Sequence, residues 1–324
     1  MNLGELTAML RAAKGVAHKR DIAPVLARLG RASPSAIPVG DDCAAIPDGD
    51  GFLLLAIEGF MPEFVTADPY FAGYCGVMVN VSDIAAMGGR PVAVVDALFA
   101  ASAEDAAPVL EGMAAASARY GVPVVGGHTN TRAAGAGLSV AILGRAEKLL
   151  TSFDARPGQV IVAAIDLRGR MRDPAPYWDA STGADTARLR ADLLLLPAIA
   201  EAGLCAAAKD ISMAGVVGTA LMLLEASRLG GVIEPAAIPR PAGIALERWL
   251  LAFPSFGFLL GVEPNNVNAV IDIFDARGIA AAAIGGTDAS GVVRLRDGAQ
   301  EQTLWRFDED DLTGCVRYGD VEHA

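Results

Sequence analysis

Lysine, histidine, cysteine and aromatic residues are all scarce in this chain of 324 residues. The lysines are Lys14, Lys19, Lys148 and Lys209, against a formal net charge of -12. So acidic a chain, with so few lysines, is a poor partner for nucleic acid or an anionic membrane. Cys43, Cys75, Cys205 and Cys315 lie far apart and form no CxxC pair, and His18, His128 and His323 are the only histidines. That excludes a disulfide scaffold and a zinc centre. Aromatics make up 6% of the residues, so the cores must be aliphatic. No apolar run reaches the roughly 18 residues of a membrane span. The opening MNLGELTAMLRAAKG lacks the basic and apolar regions of a signal peptide, so a cytoplasmic protein is expected. No GxxxxGK[ST], GxGxxG or HExxH occurs, which argues against the usual nucleotide loops and metalloprotease chemistry. Nor does His128 have a nucleophile elbow nearby to build a Ser-His-Asp set.

What is present is 53% hydrophobic residues over a length that suggests two domains, at roughly 150 residues per domain. We place them at 1–150 and 151–324, with a turn at SFDARPG (Ser152–Gly158). Asp68-Pro69 is a capped helix start, and the helix through YFAGYCGVMVNVSDIAAM stops at Gly88-Gly89. Gly73 and Gly76 inside it predict close packing against a neighbour. Phe52–Glu58 reads as a buried strand, Val92–Phe99 as a strand, and Glu104–Tyr120 as a helix. A short strand at Val122–Val125 runs into Gly126-Gly127-His128. The second half predicts a helix near Asp185–Glu201, a Gly-punctuated segment Asp210–Gly218 before helix Thr219–Leu229, and a strand Gly257–Val262. A helix from about Pro264 to Arg277 and strands near Ala281–Gly285 and Val292–Leu295 follow. The plan is α+β in both halves.

Several carboxylates stand at the ends of apolar elements or beside glycines: Asp41, Asp42, Glu58, Asp83 and Asp210. Such positions suit Mg²⁺, a hard cation that shares oxygen ligands with substrate phosphates. Each also has a plainer reading: Asp41 and Asp42 as turn formers, Glu58 as a strand end in solvent, Asp83 as half of an ion pair. Asn80 and Asp83 share one face of an apolar helix. Gly126-Gly127 lets backbone amides approach phosphate oxygens. His128 is a core histidine or a ligand, and Cys43 a small core residue, since its acidic neighbours disfavour the thiolate. The basic stretch Ala12–Arg20 is either a solvated turn or a mobile arm over a polyphosphate.

The order of these pieces resembles the ATP-dependent superfamily of thiamine-monophosphate kinase, aminoimidazole ribonucleotide synthetase, selenophosphate synthetase and a hydrogenase-maturation dehydratase. GDDCAAI (Gly40–Ile46), NVSDIAAMGGRP (Asn80–Pro91), VVGGHT (Val124–Thr129) and DISMAGVVG (Asp210–Gly218) carry the resemblance. It implies two α/β domains of the aminoimidazole ribonucleotide synthetase type, the N-terminal one forming a homodimer and binding ATP through Mg²⁺. Asp41, Asp42, Glu58 and Asp83 would be the metal ligands. Lys14, Lys19, Asn80, Gly126, Gly127 and His128 would lie toward the nucleotide, and Asp42 and Asp210 would be catalytic. The departures matter too. No cysteine precedes Cys43, which disfavours selenide chemistry, and Met213 stands where the kinases carry an acid. PSFGFLLGV (Pro254–Val262) lacks the acidic stretch of the kinases, so thiamine phosphate is disfavoured as the substrate. The expected activity is a Mg²⁺-ATP-dependent phosphotransferase on a small metabolite. The alternatives are a synthetase that activates an amide or carboxyl oxygen, or a non-catalytic nucleotide-binding protein.

Overall fold

The computed structural model describes residues 1–29 and 37–316. Two units interleave along the chain: Asp42–Leu149 with Thr182–Ala198, and Met1–Asp41 with Leu150–Ser181 and the described residues from Ile199 onward. Both mix helices with largely antiparallel sheets, the expected α+β architecture.

The first of these carries β1 (Ala44–Asp48), β2 (Gly51–Phe60), β3 (Arg90–Phe99), β4 (Val124–Asn130) and β5 (Gly137–Ala146) in the order β1-β2-β5-β3-β4. Only β3 and β4 run parallel. Helices α4 (Pro62–Ala67), α5 (Pro69–Ala86), α6 (Ala103–Tyr120) and α7 (Thr186–Leu193) belong to it. The Asp68 carboxylate caps α5 by accepting from Phe71 N at 3.3 Å, with Pro69 at the first helical position. From Phe71 to Ala86 every residue of α5 is buried, as an all-round apolar helix must be. A Cβ on Gly73 would come within 1.9 Å of Val109 O, and one on Gly112 within 1.9 Å of Tyr70 O. The two glycines therefore let α5 and α6 touch backbone to backbone, the close packing that Gly73 predicted.

Strand β2 corrects the expectation of a buried strand. It alternates: Leu54 is fully buried under α5, whereas Leu55 and Ile57 are 48% and 68% exposed. Leu143 on β5 and Val95 and Phe99 on β3 join them as exposed large apolar residues. β4 also differs from expectation, because Gly126, Gly127 and His128 lie inside the strand and not in a turn after it. Pairing with β3 extends the strand through residues whose local composition signals a turn.

The other unit holds a seven-stranded sheet, order β15-β14-β10-β13-β6-β12-β9, and a small sheet β11-β8-β7. The strands are β6 (Val160–Ile165), β7 (Arg170–Met171), β8 (Tyr177–Asp179), β9 (Ala207–Asp210), β10 (Gly230–Ile233), β11 (Phe253–Pro254), β12 (Gly257–Val262), β13 (Ala280–Asp288), β14 (Val292–Asp297) and β15 (Gln300–Arg306). Helices α1 (Leu3–Arg11), α2 (Lys14–Lys19), α3 (Ile22–Leu29), α9 (Gly215–Ala226), α10 (Leu246–Trp249) and α11 (Val267–Asp275) complete it, with α8 (Leu195–Glu201) leading in. The single helix expected over Asp185–Glu201 is thus two, divided at Leu194. The Gly-punctuated segment becomes helical by Gly215, earlier than Thr219, and every residue of α9 is buried. Leu6, Leu10 and Val16 from the first two helices join the same core as Ile161, Leu221 and Leu259. No described helix is long and apolar enough to cross a membrane.

Candidate functional site

Asp83 stands on the buried length of α5 and is itself 5% exposed. Asp42, just before β1, brings one carboxylate oxygen within 4.8 Å of one of Asp83. The bend after Gly40 and the last turn of α5 thereby meet through two oxygen donors. Among the described residues, Asp41 and Glu58 stand outside that pair. Glu58 is half-buried on β2, opposite Val140 of β5.

Asp41 is occupied within its own unit. Its carboxylate accepts from Ser152 N at 2.8 Å and Ser152 Oγ at 2.5 Å, and Lys209 Nζ stands 3.9 Å away. Both side chains of that ion pair are buried. Lys209 and Ser152 were not singled out from the sequence. The available signal was a lysine inside an apolar strand of a chain with only four. Beside it Asp210 ends β9, buried, in register with Phe258 of β12.

The nucleotide-side residues divide by environment. Asn80 is fully buried, and its Nδ2 donates to Gly76 O at 2.8 Å and Val140 O at 2.9 Å, fastening α5 to β5. Gly126 is exposed with nothing near its missing side chain, so its backbone is open to approach. His128 is exposed on β4 against the Phe99 ring at 5.9 Å, so it is not the core histidine that the sequence also allowed. The basic segment is folded, neither turn nor free arm. Gly15 lets α2 approach the backbone of Met213 so closely that a Cβ would lie 2.0 Å from Met213 O. Lys14 is exposed on α2, Lys19 half-buried, and Arg20 pairs with Asp310 while lying over the Trp305 ring.

The four cysteines are all buried and form no disulfide. Burial pushes the Cys205 thiol up to about 12, and it donates to Ala207 O and Gly261 O. A thiol so held is not a nucleophile at neutral pH. Asp96 on β3 also escaped the sequence reading. Burial raises its carboxyl above the usual range, opposed only in part by a bond from its own backbone.

Residues 40–146 match the model of AIR synthase related protein, N-terminal domain, and residues 160–298 that of AIR synthase related protein, C-terminal domain. Protein sll0787 of Synechocystis is 49% identical over 96% of this chain and 98% of its own length. Among solved structures, Thermotoga maritima PurL complexed with ATP superposes with a TM-score of 0.69 at 22% identity, over 86% of this chain and 47% of that one. The chain therefore spans about half the length of the PurL chain it matches. AaThiL complexed with AMPPCP and TMP gives a TM-score of 0.62 at 20% identity, over 82% of this chain and 92% of that one. At these identities both likenesses are likenesses of fold.

Proposed function

The chain belongs to the AIR synthase-related family of ATP-dependent enzymes, and from that premise we propose that it is a Mg²⁺-ATP-dependent phosphotransferase acting on a small metabolite. The observation that carries this reading is the approach of Asp42 and Asp83 to within 4.8 Å. Such a pair of oxygen donors, without sulfur or imidazole, fits a hard divalent cation that keeps open positions for phosphate oxygens. Asp42 and Asp83 would hold the ion, and Mg²⁺ when bound supplies charge neutralisation for the phosphates. Glu58 and Asp41 are assigned to the margin of the metal site, Asp41 with its charge balanced by Lys209. Gly126 offers open backbone to a phosphate, with His128 and Asn80 on the same unit. Lys14 and Lys19 are assigned to the triphosphate, and Asp210 to the acceptor.

The reading includes a homodimer formed through the five-stranded sheet. Its outer face exposes Leu55, Ile57, Val95, Phe99 and Leu143, and apolar side chains gathered on one sheet face suit a protein contact.

A second reading, a synthetase that phosphorylates an amide or carboxyl oxygen and then displaces phosphate, is favoured by a sequence relative named phosphoribosylformylglycinamidine synthase subunit PurL, 28% identical over 76% of this chain. One experiment separates them: γ-labelled ATP with Mg²⁺ and a panel of small metabolites. Label retained in the acceptor supports the phosphotransferase. Free phosphate released in step with ADP supports the synthetase, and ATP bound without turnover overturns both. Calorimetry of Mg²⁺-ATP binding tests the metal assignment. The double change Asp42→Ala and Asp83→Ala is expected to weaken affinity at least tenfold, and unaltered affinity refutes the assignment.

A further inference from the structure

On β3, Val94, Asp96 and Leu98 point to one face, because side chains alternate along a strand. Val94 and Leu98 are fully buried there, so Asp96 takes a position the pattern reserves for an apolar side chain. Its neighbour in register on β4 is Gly127. A Cβ on Gly127 would lie 2.3 Å from Asp96 Oδ1, so the glycine leaves the room that the carboxylate fills. The other oxygen, Oδ2, is buried with no hydrogen-bond partner among the described residues.

Beside Asp96 opens a cleft of about 390 Å³, walled by Leu110, Met113 and Ala114 of α6 and Val124 of β4, with Ser117 at its side. That volume is in the range of small-molecule sites. Among the described residues, Asp96 is its only ionisable lining group. Leu110 and Val124 are 43% and 39% exposed, so apolar surface stands at the mouth and the unmatched oxygen within. An unpaired buried acceptor is destabilising, and a cationic donor offsets that penalty with a charge-assisted hydrogen bond. The acidic chain draws cations toward it. Neither Asp42 nor Asp83 lines the cleft.

We propose that this cleft is a binding site for a small organic cation: a protonated amine on an apolar body, the ammonium donating to Asp96 Oδ2 and the body lying against Leu110, Met113 and Val124. Nothing in the proposal depends on the Mg²⁺-ATP reading.

The test uses the full chain with methyl-labelled methionine, titrated at neutral pH with benzylamine and with benzyl alcohol of nearly the same shape. Benzylamine is expected to shift the Met113 methyl signal saturably, with a Kd at least tenfold below that of the alcohol. Asp96→Asn is expected to reduce that preference to within twofold. Ala114→Phe, at an exposed helix position, fills the cleft and is expected to abolish binding of both probes. Equal affinities in the parent chain, a preference kept by Asp96→Asn, or binding untouched by Ala114→Phe overturns the proposal. Should Asp96→Asn fail to fold, the parent comparison and Ala114→Phe decide the matter.

Discussion

Asp96 and Lys209 each set an ionisable side chain among the apolar residues of a strand. For Asp96 the folded state raises the carboxyl pKa by burial. In the unfolded chain the group loses its proton near pH 3.9. Its contribution is therefore nil below that pH, turns unfavourable as pH rises through the window up to the raised folded value, and stays unfavourable above it. Asp96→Asn is expected to show a melting-temperature gain over the parent that grows as pH rises through that window. Thermal melts of both chains from pH 3.5 to 8 measure it, and a gain that is constant with pH contradicts the burial effect. For Lys209 the sign is the opposite. Its removal as Lys209→Met leaves the Asp41 carboxylate buried without its ammonium partner. Breaking a buried pair from one side destabilises by about 3–5 kcal/mol, which urea unfolding reads directly. Neither role was legible from composition. An Asp between Val95 and Ala97 and a Lys between Ala208 and Asp210 look alike until the strand neighbours are known.

At the scale of elements, two contacts hold the helices where the carboxylates need them. Helix α5 presents Asp83 from a buried position, and α6 lies against the same helix at Gly73 and Gly112. Gly112→Val puts side-chain carbons into the Tyr70 backbone and is expected to destabilise by about 3 kcal/mol or more, since overpacking against backbone cannot relax through a rotamer. The midpoint of chemical unfolding checks this, and a loss below about 0.5 kcal/mol contradicts the close approach. In the other unit, Glu225 on α9 is 2% exposed and accepts from Leu312 N at 2.6 Å and from Thr313 N at 2.8 Å, Thr313 Oγ1 at 2.5 Å and Gly314 N at 3.3 Å. Glu225→Gln replaces an acceptor with a donor facing those amides. It is expected to lower stability by about 2 kcal/mol and to quicken proteolysis after β15, which timed digestion reveals. The cap of α5 and the strand at Gly257–Val262 were readable, because an Asp-Pro helix start and a short apolar run are local signals. Strands β10 and β15 and the split of Asp185–Glu201 were not, because sheet partners decide them.

The whole molecule adds the question of assembly. If the sheet face around Ile57 is the dimer contact, Ile57→Glu is expected to shift the sedimenting species from twice 33.3 kDa to 33.3 kDa with little loss of monomer stability, since Ile57 is 68% exposed. A parent chain that sediments as a monomer contradicts the dimer. By itself the sequence determined the family and the supply of donors. GDDCAAI, NVSDIAAMGGRP, VVGGHT and DISMAGVVG stand in the family's order, and the oxygen-rich, lysine-poor composition points to bridging cations. Which carboxylates meet was decided only by the tertiary structure. Asp42 approaches Asp83 while its neighbour Asp41 turns to Ser152 and Lys209, and Gly127 serves to seat Asp96. The physical reason is range. Caps and alternation act over a few residues along the chain, whereas the meeting of two side chains depends on strand register and helix approach, set by distant segments that sequence spacing does not encode.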